Sequence, residues 1–226
     1  MQTYIYDPLN QLLVLLYSNI NDIGWTIIAL TLIVKILLLP LNIKAGIDGE
    51  KTQRVIKKIK PSLDKIKDKH KGDKMAEYAA TQALYKEEKF NPISGLLSIL
   101  IILLQMPILF GLYHVFNTNL SKGYNLMAFG LFDISQKYIW MGLLSGVTMY
   151  IMGSITMKKK SQEGETEMQI AMTNAMRLQV VYFFPVLLAV VGAISPSGIG
   201  IYLVFANLFG IVQYYILDHF KKRISI

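Results

Sequence analysis

The sequence predicts an all-α, multi-pass membrane protein: five transmembrane helices, a charged cytoplasmic helical hairpin between the first two, and an interfacial helix ahead of them. Three observations carry that class. Of 226 residues, 53% are hydrophobic and only 17% are charged, and the mean hydropathy is +0.41, a balance that fits a polytopic membrane protein better than a soluble globule. Five apolar segments approach or reach the roughly 20 residues that a helix needs to cross a hydrocarbon core about 30 Å thick. The basic residues are distributed on one side: twenty of the 23 Lys and Arg fall in segments 44–93, 158–178 and 218–226, while the alternate loops carry only Lys122 and Lys137. The positive-inside rule puts those three segments in the cytoplasm, the N-terminus outside and the C-terminus inside.

The net charge of +8 points to anionic lipid headgroups, with Lys158–Lys160 as an anchor, more than to RNA. DNA is not an expected partner. The absence of cysteine excludes a disulfide framework, a thiolate metal site and a lipid-modified cysteine at the start of the chain as given.

In order along the chain, residues 1–23 hold Asp7-Pro8 and then Leu9, Leu12, Leu13, Leu16 and Ile20 at helical spacing. This reads as an extracytoplasmic amphipathic helix in the interface, and no basic n-region or small-residue cleavage site marks it as a signal peptide. Residues 24–43, GWTIIALTLIVKILLLPLNI, are the first span. Residues 44–93 change character, with thirteen Lys/Arg and eight Asp/Glu. Val55, Ile59, Leu63 and Ile66, the turn at 70–73, then Met75, Ala79 and Ala83 predict a helical hairpin, whose first arm Pro61 should kink. A merely solvated loop is the alternative.

Residues 94–226 hold the remaining spans. They are 95–116, 138–157, a short 179–194 containing Pro185, and 199–217. Between them lie a polar turn with a weakly amphipathic piece (117–137), a second charged loop (158–178), and the turn Ser195-Pro196-Ser197-Gly198.

Lys35 is the residue that this plan has to explain. It lies eight residues before Ile43, so its Cα sits about 12 Å inside the span's inner boundary. A lysine tail snorkels only part of that way. A charge there costs on the order of 2.5–3.5 kcal/mol on insertion scales, which makes it a functional-site candidate by default. Thr31, Lys35 and Asn42 share a helix face. Ser94, Ser98 and Gln105 do so on the second span, and Ser145, Thr148 and Thr156 on the third. Tyr202 and Gln213 align on the fifth, with Asn207 nearer an adjacent face. Hydroxyls alone are often simple interhelical glue, but three donors and a full charge exceed what two hydroxyls satisfy.

No Asp or Glu lies in any predicted span. The lysine is therefore either neutral or hydrated. Hydration requires a water-filled cavity, and that cavity would attract an anionic visitor. The candidate site is Lys35 with Thr31, Gln105, Thr148, Thr156 and Tyr202. There is no Gly-rich phosphate loop, His70, His114 and His219 are scattered, and no nucleophile and base stand at informative spacing. Neither an enzyme nor a metal or other cofactor is expected. A small-anion transporter or channel using Lys35 as its binding charge is the alternative, though no inverted repeat supports it.

The string LYKEEKFNPISGLLSILIILLQMPILFGLY (84–113) resembles the signature of the YidC-type membrane protein insertases, relatives of the mitochondrial oxidase-assembly and chloroplast insertases. The matching elements are Leu84-Tyr85-Lys86-Glu87, Asn91-Pro92, Gly95, Leu104-Gln105-Met106-Pro107 and Leu112-Tyr113. A charge five residues before Pro40-Leu41, and Pro196-Ser197-Gly198 followed by Ile201-Tyr202 and Asn207, extend the likeness over essentially the whole chain. The resemblance implies a five-helix core in a bacterial plasma membrane, around a hydrophilic groove open to cytoplasm and lipid and closed outside. Its clients would be nascent membrane proteins with short, often acidic N-terminal tails, with the ribosome and the Sec translocon as further partners. Lys35 stands where the family has a groove arginine, Met152 where glutamine is usual and Leu203 where tryptophan is usual. The long basic C-terminal tail of some members is not expected beyond Lys221-Lys222-Arg223, nor is the large extracytoplasmic domain of the Gram-negative forms.

Overall fold

A computed structural model describes residues 7–88, 90, 111, 113, 124–157 and 167–223. The expected second span (95–116), with Gln105, lies outside the described residues, as do Ser94, Ser98 and Lys158–Lys160. In chain order the elements are α1 (Asp7–Ile20), α2 (Ile23–Lys69), α3 (Lys74–Glu87), β1 (Met127–Ala128), β2 (Phe132–Asp133), α4 (Ile139–Thr156), α5 (Glu167–Leu178), a π-helical turn (Gln179–Phe183), α6 (Phe184–Ile194) and α7 (Ser197–Arg223). Four stretches among the described residues are long and apolar enough to cross a membrane, within Ile23–Lys69, Ile139–Thr156, Thr173–Ile194 and Ser197–Phe220. The chain forms two compact units, one of residues 1–38 and 106–216, the other of 39–105 and 217–226.

In the first unit, α1 ends where Asn21 takes a left-handed conformation (φ 55°), which Asn tolerates better than most residues. Its amide donates to the Tyr17 carbonyl at 2.8 Å. Asp22 then caps α2, its carboxylate accepting from the Trp25 amide at 3.0 Å, so one Asn-Asp pair stops a helix and starts the next. Leu9 and Leu13 are buried, as the helical spacing predicts. Ile20, expected on the same face, is exposed, because it is the last residue before the chain turns away at Asn21.

The core of this unit joins Leu13 of α1, Ile27 and Leu30 of α2, Ile134, Met141 and Ile201. It therefore gathers at the N-terminal ends of α2, α4 and α7. The described part of 117–137, a stretch expected to be a polar turn and a weakly amphipathic piece, holds a two-stranded antiparallel hairpin pairing Met127 with Asp133 and Ala128 with Phe132. Phe129 and Gly130 both have positive φ, the geometry that a tight reversal demands. The hairpin's ends cap α7, whose Ser197 and Gly198 amides donate to the carbonyls of Gln136 (2.9 Å) and Ile134 (3.2 Å).

Helices α4 and α6 approach backbone to backbone. A Cβ at Gly142 would collide with the Ala189 carbonyl, and one at Gly146 would stand 2.8 Å from Ala189 Cβ and 2.9 Å from the Pro185 carbonyl oxygen. Small residues permit this, and close packing is what holds helices together where lipid removes the hydrophobic drive. Pro185 lacks the amide that would reach Val181, and the turn before it widens so that the Phe184 amide bonds the Gln179 carbonyl, five residues back. The helical stretch begins at Glu167, twelve residues ahead of the 179–194 that hydropathy marks, because the polar piece EMQIAMTNAMR is helical too.

In the second unit, neither Pro40 nor Pro61 ends α2. Pro61 removes one backbone donor, and the run continues to Lys69. Asp73 caps α3, accepting from the amides of Met75 (3.1 Å) and Ala76 (3.0 Å). Lys58 of α2 pairs with Glu88 at 2.6 Å, an exposed pair of the kind that contributes at most about 1 kcal/mol.

Replacing Gly146 by Leu is expected to destabilise the α4–α6 pair by about 1–3 kcal/mol through overpacking. A fall in the thermal unfolding midpoint in detergent checks it, and an unchanged midpoint contradicts the close approach.

Candidate functional site

The site residues that the structure describes all belong to the first unit. On α2, Thr31 is buried, and its hydroxyl donates to the Ile27 carbonyl at 2.7 Å. One turn further on, Lys35 is half-buried. Among the described residues, no hydrogen bond or ion pair reaches its ammonium. Beyond it, Ile36 and Leu37 are exposed. Burial on α2 thus falls off after Thr31.

On α4 the polar face runs from buried to half-buried residues. Ser145 and Thr148 are buried, while Thr156 at the helix's end is half-buried and donates to the carbonyls of Met152 (2.9 Å) and Gly153 (3.3 Å). On α7, Tyr202 and Leu203 are buried within the core, whereas Leu208 and Val212 are exposed. Thr31, Thr148 and Tyr202 therefore lie in the packed part of the unit, and Lys35 and Thr156 where packing loosens.

One interaction joins two of the polar stripes. The buried Asn207 side chain on α7 donates to the Thr148 hydroxyl oxygen at 3.1 Å and to the Ser145 carbonyl at 3.2 Å. Thr148 in turn donates to the Leu144 and Ser145 carbonyls, both at 3.0 Å. A carboxamide is suited to this, because its two N–H groups can serve two acceptors on a neighbouring helix. Sequence reasoning noted Asn207 but set it on an adjacent face. The signal that could have found it is an amide donor on a span otherwise apolar at that level.

The two departures from the resembling family's groove pattern also have a packing account. Met152 lies against Gly210, where an added Cβ would come within 2.5 Å of its sulfur. Leu203 is part of the core cluster. An open apolar recess of about 530 Å³, lined by Leu178, Gln179, Tyr182, Phe183 and Val186, lies on the α5–α6 stretch and does not include Lys35.

The sequence profile of the family described as "60Kd inner membrane protein" matches residues 15–223. A Fusobacterium nucleatum subsp. nucleatum protein named membrane protein insertase YidC is 30% identical over 223 residues, covering 95% of this chain and 97% of its own length. The chain belongs to the YidC-type membrane protein insertase family. A Campylobacter jejuni YidC is 30% identical over 97% of this chain, which spans only 40% of that relative. A Staphylococcus aureus YidC is 26% identical, and the chain spans 75% of it. The fold is also that of a crystal structure described as an active YidC insertase with the first transmembrane domain resolved, at a TM-score of 0.60 and 24% identity. That match takes in 95% of this chain and 46% of the other. In keeping with this YidC-type family, the chain is a multi-pass membrane protein.

The Asn207–Thr148 bond is expected to show a coupling of about 0.6 kcal/mol, the average for interhelical hydrogen bonds in membranes. A double-mutant cycle of Asn207→Leu and Thr148→Val on unfolding in mixed micelles measures it, and additive losses would remove the bond from the account.

Proposed function

We propose that this chain is a membrane protein insertase, in which Lys35 offers a wet positive charge to the short N-terminal tail of a small membrane protein. The observation that carries this reading is an ammonium on an apolar span with no partner among the described residues and no acidic residue in any predicted span. Family membership supplies the context.

On this reading, water reaches Lys35 from the cytoplasmic side only. The tail, often acidic, enters that water and is held by a Coulomb attraction stronger than in bulk solvent. The client's apolar segment meanwhile moves into lipid beside it. Withdrawing some 20 apolar residues from water supplies the drive, at about 25 cal/mol per Å² buried, so no nucleotide is consumed. What the protein lowers is the barrier to carrying polar backbone across hydrocarbon, where each unsatisfied group costs several kcal/mol. Thr156 and Gln105 would extend the polar path, while Thr31, Thr148 and Tyr202 would support its inner wall. The charged helices α2 and α3 make the first contact with the nascent chain or the ribosome, and the basic segments hold the cytoplasmic side at anionic headgroups. The N-terminus is outside and the C-terminus inside.

Purified chain in liposomes is expected to insert a single-span client with an acidic tail, read by protease protection. Lys35→Ala should slow insertion about tenfold, equivalent to about 1.4 kcal/mol of lost attraction, while Lys35→Arg retains it and a client with a neutral tail is little affected. Equal rates for Lys35→Ala and the parent chain would overturn the role of the charge. Anion uptake by the same vesicles that Lys35→Ala abolishes, with no insertion, would establish a transporter instead.

A further inference from the structure

The hairpin ahead of α4 presents an aromatic surface outside the site described above. Its reversal exposes Leu131 at 77%, and Ile139 at the start of α4 is 74% exposed. Trp25 at the start of α2 and Trp140 at the start of α4 are 56% and 46% exposed. They are tied through the hairpin: Trp25 packs edge-on against Phe129 at 5.3 Å, and Trp140 edge-on against Phe132 at 5.1 Å.

This surface is built rather than loose. Asp22 caps α2 with one carboxylate oxygen and with the other accepts from the Phe129 amide at 2.8 Å. Gly24 clears the space, since a Cβ there would stand 2.6 Å from the Phe129 ring and 2.9 Å from Ala128 Cβ. The Tyr17 hydroxyl accepts from the Asn125 amide at 2.9 Å. Three elements thus hold one apolar tip in a fixed position.

We infer that the Leu131 tip, Ile139 and the two tryptophans form an anchor seated at the headgroup–acyl boundary of the leaflet that faces the N-terminal ends of α2 and α4. Continuity identifies the occupant as lipid. Along α4 the exposed residues Leu143, Leu144, Val147 and Ile151 extend the patch without a charge, and Ile139–Thr156 has the length and hydropathy of a span. Tryptophan places its apolar ring and its N–H at such a boundary.

The electrostatics agree. Asp133 turns its carboxylate onto the Ser135 amide (2.8 Å) and hydroxyl (2.7 Å), and Asp22 is occupied as described. Between residues 124 and 140 the exposed charge is Lys137, whose amine can meet lipid phosphate while the tip lies deeper.

An anchor of this kind sets depth. Trp25 and Lys35 are ten residues apart on one helix, about 15 Å along its axis, half of a core about 30 Å thick. Pinning the tryptophans at the boundary holds the ammonium near the midplane, whatever passes beside it.

Trp25 and Trp140 are the chain's two tryptophans, so intrinsic fluorescence reports on this surface alone. The full chain is reconstituted in phosphatidylcholine vesicles whose acyl chains carry bromine either near the headgroup end or near the methyl end. Shallow bromine is expected to remove most of the emission, deep bromine distinctly less, and aqueous acrylamide little. Trp25→Phe and Trp140→Phe read the remaining tryptophan, and each should keep that order. Leu131→Asp should weaken shallow quenching and raise acrylamide quenching. Strong acrylamide quenching with little effect of bromine would overturn the anchor and leave a surface for water or a protein partner. Stronger quenching by deep bromine would overturn the assigned depth.

Discussion

A lysine that keeps its charge on a membrane span needs an opposite charge or water, and this chain has no acidic residue on any predicted span to give Lys35 the first. That constraint orders the rest of the fold. If water must reach about halfway into the bilayer, the protein has to let it in at one end without letting it through. In the first unit the buried side chains of α2 and α7 gather toward their N-terminal ends, and burial declines toward Lys35 on the one and Val212 on the other.

Closure at the packed end does not depend on apolar contact alone. The short hairpin after residue 124 makes polar ties to α1 through Tyr17, to α2 through Asp22 and to α7 through its first amides. Each tie satisfies a backbone amide that no helix or strand of its own pairs. Further in, Asn207 bonds α7 to α4, and the small residues of α4 bring α6 against it. Together they join α4, α6 and α7 on the side of the unit where Thr31 is buried.

The apolar segments and the basic bias were legible in the sequence because hydropathy and the positive-inside rule depend on composition over whole stretches. The corner at Asn21-Asp22 was legible in principle, since both residues have strong local preferences. Segment 124–138 was not. Its fold rests on contacts made more than a hundred residues apart, such as Phe129 to Asp22, and periodicity within the segment carries no trace of them. Pro61 lies inside α2 without ending it, since a proline's missing donor is a local cost that a long helix can absorb. At the site, helical spacing correctly grouped Ser145 with Thr148 but could not say that Asn207 would reach both. Burial decides such pairings, and one helix face says nothing about which neighbour it meets.

One-sided access of water to Lys35 is the claim on which the account turns, and a chain without cysteine lets a single introduced thiol report it. Lys35→Cys and Thr156→Cys, in sealed membranes of known orientation, are treated with a membrane-impermeant maleimide from each face in turn, with Ile27→Cys as the packed control. The account predicts that the first two react from the face bearing residues 44–93 and not from the opposite face, and that Ile27→Cys reacts from neither. Reaction of Lys35→Cys from the opposite face, or from neither while Thr156→Cys reacts, would contradict it.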